Sequence, residues 1–195
     1  TDGRLVSIVN GSSDENWWAI LTRGTVVGDP ISMDVNDTGG NAYQETQTTT
    51  SFTPGKWHFA TGIFTSNTRR DIFLDAGSQG IGTAASETPS GLNRTTCGVL
   101  DRTSPVEYFN GKIAHVHVFN VVLTLEEIRQ CMFYTGSIRR GLVYYCPYFC
   151  PEEAGELDYS GNGRIGVLSG TASIETAPNV NGMFVIPKPR LEYAF

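Results

Sequence analysis

The stretch GKIAHVHVFNVVLTLEEIRQCMF, residues 111–133, decides how the chain is read, because two different periodicities stand side by side in it. Residues 111–120 alternate. Ala114, Val116 and Val118 share one face and Ile113, His115, His117 and Phe119 the other, which is the period of two that a strand imposes. From Leu125 the pattern changes. Thr124 followed by Glu127 has the spacing of a capping box, Leu123 and Ile128 stand at the two positions of a hydrophobic staple, and Gly136 supplies a stop, so a short helix is expected over residues 125–133.

Outward from this stretch, short apolar runs at residues 5–9, 17–21 and 25–27 are separated by turn formers such as Asn10-Gly11-Ser12-Ser13-Asp14. Residues 34–41 read as a loop, and residues 43–52 as a threonine-rich exposed strand closed by Pro54-Gly55. Residues 56–64 and 71–75 read as strands around a polar turn at 65–70. Beyond a loop at 83–93, short strands are expected at 94–100 and 106–109. After Gly136 the texture changes to two strand-like runs, 142–149 and 164–168, a turn at 158–163 and a tail carrying Pro187 and Pro189. The expected division is a sandwich over residues 1–136 and a C-terminal extension over 137–195.

The composition agrees with an all-β chain. Of 195 residues only 17% are charged, while 22 are glycine and 11% aromatic, a mix that suits short strands joined by turns. Lys and Arg number 14 against 20 Asp and Glu, and the net charge of -6 offers no basic field for phosphates, so no nucleic acid partner is expected. No apolar run approaches the roughly 20 residues needed to cross a bilayer, so no membrane association is expected either. Because the chain opens on Thr1 rather than Met, a leader or an earlier part of the polypeptide is left open. The cysteines are too few for a disulfide scaffold. Cys146 and Cys150, four apart on an extended strand, would lie about 13 Å from each other, beyond disulfide reach, so free thiols are the simpler reading.

Four pieces then occur in order: Gly55-Lys56-Trp57-His58-Phe59-Ala60, Asp71-Ile72-Phe73-Leu74-Asp75, Phe109-Asn110-Gly111-Lys112-Ile113-Ala114, and Leu123-Thr124-Leu125-Glu126-Glu127-Ile128. This succession resembles the laminin G-like subfamily of concanavalin A-like domains, with Ala76 standing where that family usually has glycine. A second piece, from Gly141-Leu142-Val143-Tyr144-Tyr145 to Gly166-Val167-Leu168-Ser169-Gly170, is similar to the opening of many such domains but stands here at the end. The resemblance covers residues 57–132 well and 141–170 less closely, while residues 1–52 match only in strand rhythm. It implies an all-β antiparallel β-sandwich, a concanavalin A-like/laminin G-like jelly roll with one short helix and a C-terminal extension. The family's usual first strands are not visible, so they are expected to precede Thr1 or to be replaced by the extension or a partner chain.

By its likeness to laminin G-like proteins of phages and environmental viruses, the resemblance implies a non-enzymatic virion structural module, a capsid decoration or tail-associated protein. Its partners would be other virion proteins or copies of itself, and its place the virion. The alternative is a lectin-like module that binds cell-surface glycans, acting extracellularly. Related glycoside hydrolases carry paired carboxylates along one strand as E-x-D-x-x-E, and no such strand is present, so no catalytic residues are expected. Trp17, Trp18 and Tyr43 are the carbohydrate-binding candidates, although adjacent Trp17 and Trp18 must point to opposite faces of a strand. Asp34, Asn36 and Asp37 are candidate metal ligands. They would make calcium a possible cofactor, and an Asx-rich turn explains the same residues without one. His115 and His117, two apart on a strand, would reach a shared metal only with a third ligand such as His58, and packing on a half-buried face is the simpler account. Leu142, Tyr144, Tyr148 and Phe149 are the interface candidates. Such an apolar, β-prone run is expected to pair with the sandwich of its own chain or of a neighbour.

Overall fold

The computed structural model describes residues 2–38, 43–147, 156–167 and 169. Two antiparallel sheets face each other. The larger holds β1 (Asp2–Val9), β2 (Trp17–Arg23), β3 (Pro30–Asn36), β4 (Tyr43–Ser51) and β8 (Arg94–Cys97) in the order β4-β3-β2-β1-β8. The smaller holds β5 (Ala60–Ser66), β6 (Arg69–Leu74) and β7 (Ser78–Gly82) in sequence order. Alternation explains the facing layer. Ile31 and Met33 on β3 meet Ile72 and Leu74 on β6, with Ile20 and Phe64 packed against them.

On one side the two sheets meet at two glycines. A Cβ on Gly80 would overlap the Gln47 carbonyl oxygen of β4, and one on Gly82 would overlap the Thr46 hydroxyl, so β7 and β4 approach only because both positions lack a side chain.

Both outer faces are covered. Helix α1 (Leu125–Phe133) buries Ile128 and Cys131 with Leu123, Phe73 and Ala76 against the smaller sheet. Its start is the expected capping box, with the Thr124 hydroxyl accepting from the Glu127 N–H and the Glu127 carboxylate accepting from the Thr124 N–H. Ala76 adopts φ of 52°, in the left-handed region, which explains why a glycine is at home there. Over the larger sheet runs the segment 98–109. Its Leu100 and Val106 pair in a single bridge and pack on Val9, Trp17 and Ala19.

Several boundaries differ from the sequence expectation. Strand β9 spans only Val116–Phe119, because His115 turns to φ of 55° and residues 111–115 lie outside any strand. Residues 34–36 belong to strand β3 rather than a loop. Ile31, Met33 and Val35 alternate with Ser32, Asp34 and Asn36, and Asp34 pairs with the buried Arg4 instead of water. Residues 25–27 form a turn, and 78–82 form a strand that was not expected.

The extension folds onto its own chain. Strand β10 (Leu142–Cys146) pairs antiparallel with β9, matching Leu142 to Phe119 and Tyr145 to His117. Asp158 accepts hydrogen bonds from the N–H groups of Tyr145, Ser160 and Arg164, while Asn162 and Arg164 side chains donate to the Val143 carbonyl. This turn clasps β10. The short pair β11 (Glu156–Leu157) and β12 (Ile165–Gly166) follows from it.

Candidate ligand-binding site

Trp18 and Trp17 point to opposite faces of β2, as neighbours on a strand must. Trp18 takes the face toward the smaller sheet and stacks on Phe64, with ring centroids 4.9 Å apart and planes at 28°. Both rings remain partly exposed, and they form one wall of a hollow of about 180 Å³ at the rim of the sandwich. The β5–β6 turn contributes Thr65, Ser66 and Asn67, and the opposite wall is Ser86, Glu87 and Thr88.

The polar wall is tied down from several sides. Arg70, 1% exposed, donates to the Ser86 hydroxyl and the Ala84 carbonyl, each at 2.9 Å. The Ser86 N–H donates to the Asn67 carbonyl at 2.9 Å, and the Thr88 hydroxyl to Asn67 Oδ1 at 2.9 Å. Asp37, buried, accepts from the Glu87 N–H at 2.8 Å, and Asn16 Oδ1 accepts from the Ser90 N–H at 3.0 Å. The hollow is thus an aromatic floor beside a pre-set row of hydroxyl, amide and carboxylate groups. This is the division of labour that small-ligand sites show, with apolar contact for affinity and few polar groups for orientation.

The remaining candidates lie elsewhere. Trp17 is 3% exposed beneath Leu100 and Val106, with Tyr43 edge-on at 6.0 Å and the Arg4 guanidinium 4.7 Å above its ring. The three aromatic candidates therefore do not form one platform. Asp34 is fully buried, bound by Arg4 Nη1 at 2.6 Å and by the Tyr43 hydroxyl at 2.9 Å. Burial pushes its carboxyl up to about 6, against the pull of Arg4. The same burial, with Asp34 beside it, raises the Tyr43 phenol well above its ordinary value. Asn36 closes β3 and faces Trp17 and Tyr43 in register. Of the three proposed metal ligands, Asp34 and Asp37 are each engaged by partners within the protein, Asp34 by Arg4 and Tyr43 and Asp37 by the Glu87 N–H. Among the described residues no group of three or more His, Cys, Asp or Glu is placed to hold a metal ion.

The histidines also separate. His58 bonds Asp75 at 2.8 Å, whereas His115 Nδ1 lies 3.2 Å from the Tyr145 hydroxyl. His117 stacks face to face on Tyr145 at 4.3 Å, accepts the Gly136 N–H at Nε2, and is pushed down to about 4 by burial. Of the interface candidates, Leu142 and Tyr144 lie in β10, and Tyr148 and Phe149 fall outside the described residues.

Sequence reasoning sought carboxylates along one strand and so missed a pair across two. Asp34 and Glu45 are direct cross-strand neighbours on β3 and β4, with Glu45 held by Arg23 at 2.8 Å and by the Ser32 hydroxyl at 2.8 Å. Phe64 was missed as well. Its pairing with Trp18 joins residues far apart in sequence and has no local signal.

Two facing antiparallel sheets with a helix on one and a rim hollow between their loops define a β-sandwich of the lectin-like kind. A comparison with known protein families matches residues 1–129 to the laminin G-like family of the concanavalin A-like lectin/glucanases superfamily, and the chain belongs to it. The match extends through the N-terminal strands, where the sequence offered only rhythm. A search of curated proteins finds no match to the chain. Membership in this family supports a binding module of some kind.

Proposed function

We propose that the protein is a carbohydrate-binding module that seats a sugar ring in the rim hollow against Trp18 and Phe64. The observation that carries this reading is the partly exposed aromatic stack facing a fixed row of Asn67, Ser86, Glu87 and Thr88. A pyranose has an apolar face of C–H groups for the stack and hydroxyls for such a row. The module acts by binding: among the described residues Glu87 is the only carboxylate lining the hollow, whereas glycoside hydrolysis needs two. Assembly with virion proteins or further copies of the chain is the other reading, implied by the resemblance to phage and viral laminin G-like proteins. The apolar run expected to pair with its own chain or a neighbour has its described part, β10, paired with β9 of the same chain. Glycans displayed on cell surfaces are the fitting partners, which places the module outside cells or on a particle that meets them.

A glycan array probed with wild-type protein, Trp18→Ala and Asn67→Ala tests the reading. Binding by the wild type to a defined glycan set, weakened about tenfold by Trp18→Ala, is expected. Asn67→Ala sits on an exposed turn and guards against a folding defect in the first variant. Wild-type protein that binds no glycan, or variants that bind as well as wild type, would refute it.

A further inference from the structure

At the other end of the same strands lies a second, larger hollow of about 340 Å³, lined by Thr22, Asp29, Phe52, Pro54, Phe109 and Asn110 together with Gly24. Its walls come from three loops. The turn after β2 brings Asp29, the segment after β4 brings Phe52 and Pro54, and the strap over the larger sheet brings Phe109. Gly3 makes room for Phe109, since a Cβ there would stand 2.8 Å from its Cα.

Among the described residues, Asp29 is the one charged group lining this hollow. Its backbone is fixed, with the N–H donating to the Val26 carbonyl and the carbonyl accepting from the Phe52 N–H, both at 3.0 Å, and φ is 39°. Its carboxylate makes no hydrogen bond or ion pair with any described residue. Among the described residues no lysine or arginine lines the hollow. Arg23, close by in sequence, is held by Asp2 at 2.7 Å and Glu45 at 2.8 Å, and Lys56 is exposed two residues beyond Pro54. The same three loops carry Val27, Trp57 and Tyr108, large apolar side chains that are exposed. Apolar residues left in water around a concave site mark an interaction surface.

We propose that this hollow receives an arginine side chain of a partner protein. An uncompensated carboxylate offers a guanidinium its fork of hydrogen bonds, and the phenylalanine rings offer faces on which the planar, weakly hydrated cation stacks. The exposed Val27, Trp57 and Tyr108 take the apolar neighbours of that arginine. The net charge of -6 favours the approach of a basic segment. This site is independent of the glycan hollow, and neither stands or falls with the other.

The test is a two-dimensional amide NMR titration of the full chain at low salt with the peptide acetyl-Gly-Arg-Gly-amide and its citrulline counterpart, which keeps the shape and loses the charge. Saturable shifts are expected at Asp29, Phe52, Phe109 and Asn110, with Trp18 and Phe64 unmoved. The citrulline peptide and the Asp29→Asn variant should each bind about five-fold more weakly or worse. Asparagine tolerates the left-handed region, so that variant keeps the turn. Glu15→Gln, an exposed charge change elsewhere, should leave the affinity unchanged. The proposal is overturned by the absence of saturable shifts, by equal binding of the citrulline peptide, by an Asp29→Asn variant that binds as well as wild type, by an equal loss in Glu15→Gln, or by shifts centred away from the hollow.

Discussion

Asp34→Asn probes the polar cluster beneath the strap, and the sign of its effect follows from the structure. The carboxyl is fully buried, 2.6 Å from Arg4 and 2.9 Å from the Tyr43 hydroxyl, and burial raises it from 3.8 to about 6. A carboxyl whose folded value lies above its unfolded value holds its proton more tightly in the native state. Its contribution to stability is therefore greatest below about 3.8, declines as pH rises, and is fully lost above about 6. At about 1.4 kcal/mol per pH unit, this displacement amounts to roughly 3 kcal/mol at most. Asparagine has the shape of the protonated acid and does not titrate, so the variant lacks the decline. Urea unfolding of both proteins at pH 4, 5, 6 and 7 reads the difference directly. The stability of Asp34→Asn relative to wild type should rise by up to about 3 kcal/mol between pH 4 and pH 7, whatever its starting offset. A difference that stays flat, or falls with pH, would show that the Arg4 ion pair outweighs desolvation, and the reasoning would fail.

His117 should give the opposite slope in the same range. Its folded value, about 4, lies below the ordinary 6.5, so stability is lost as pH falls from 6.5 toward 4, and a His117→Phe variant should lack up to about 3 kcal/mol of that loss in matched urea titrations. Truncation after Gly136 removes β10 and the clasp at Asp158, exposing the β9 edge that β10 pairs with. The shortened chain should melt at a clearly lower temperature or aggregate, and one that melts with the full-length protein would show that the extension adds nothing to the fold.

What the sequence made legible were the features whose cause is local. The capping box at Thr124 and Glu127 and the staple of Leu123 with Ile128 each depend on residues a few positions apart, and both stand as expected. The two-faced placement of Trp17 and Trp18 follows from alternation alone. What stayed hidden depends on distant partners. Asp34 looked like a loop residue because a carboxylate in a covered strand needs a cation, and Arg4 lies 30 positions away. The strand expected from Gly111 began late because His115 takes a positive φ that its apolar alternation does not announce. The rim hollow unites Trp18, Phe64 and Thr88 from three separate loops and strands, so no motif records it.

The glycine seam between β7 and β4 also limits how this molecule can change shape over generations of mutation. Where Gly80 lies against the Gln47 carbonyl of the neighbouring strand, spacing is set by peptide groups, which are the same size in every variant. Toward Phe64 and Trp18, by contrast, the gap is set by side chains that substitution can enlarge or shrink. The sandwich therefore behaves as a book bound along one spine. Core substitutions alter the angle at which its covers open, and the mouth formed at the Trp18 edge widens or narrows with that angle while the bound side stays still.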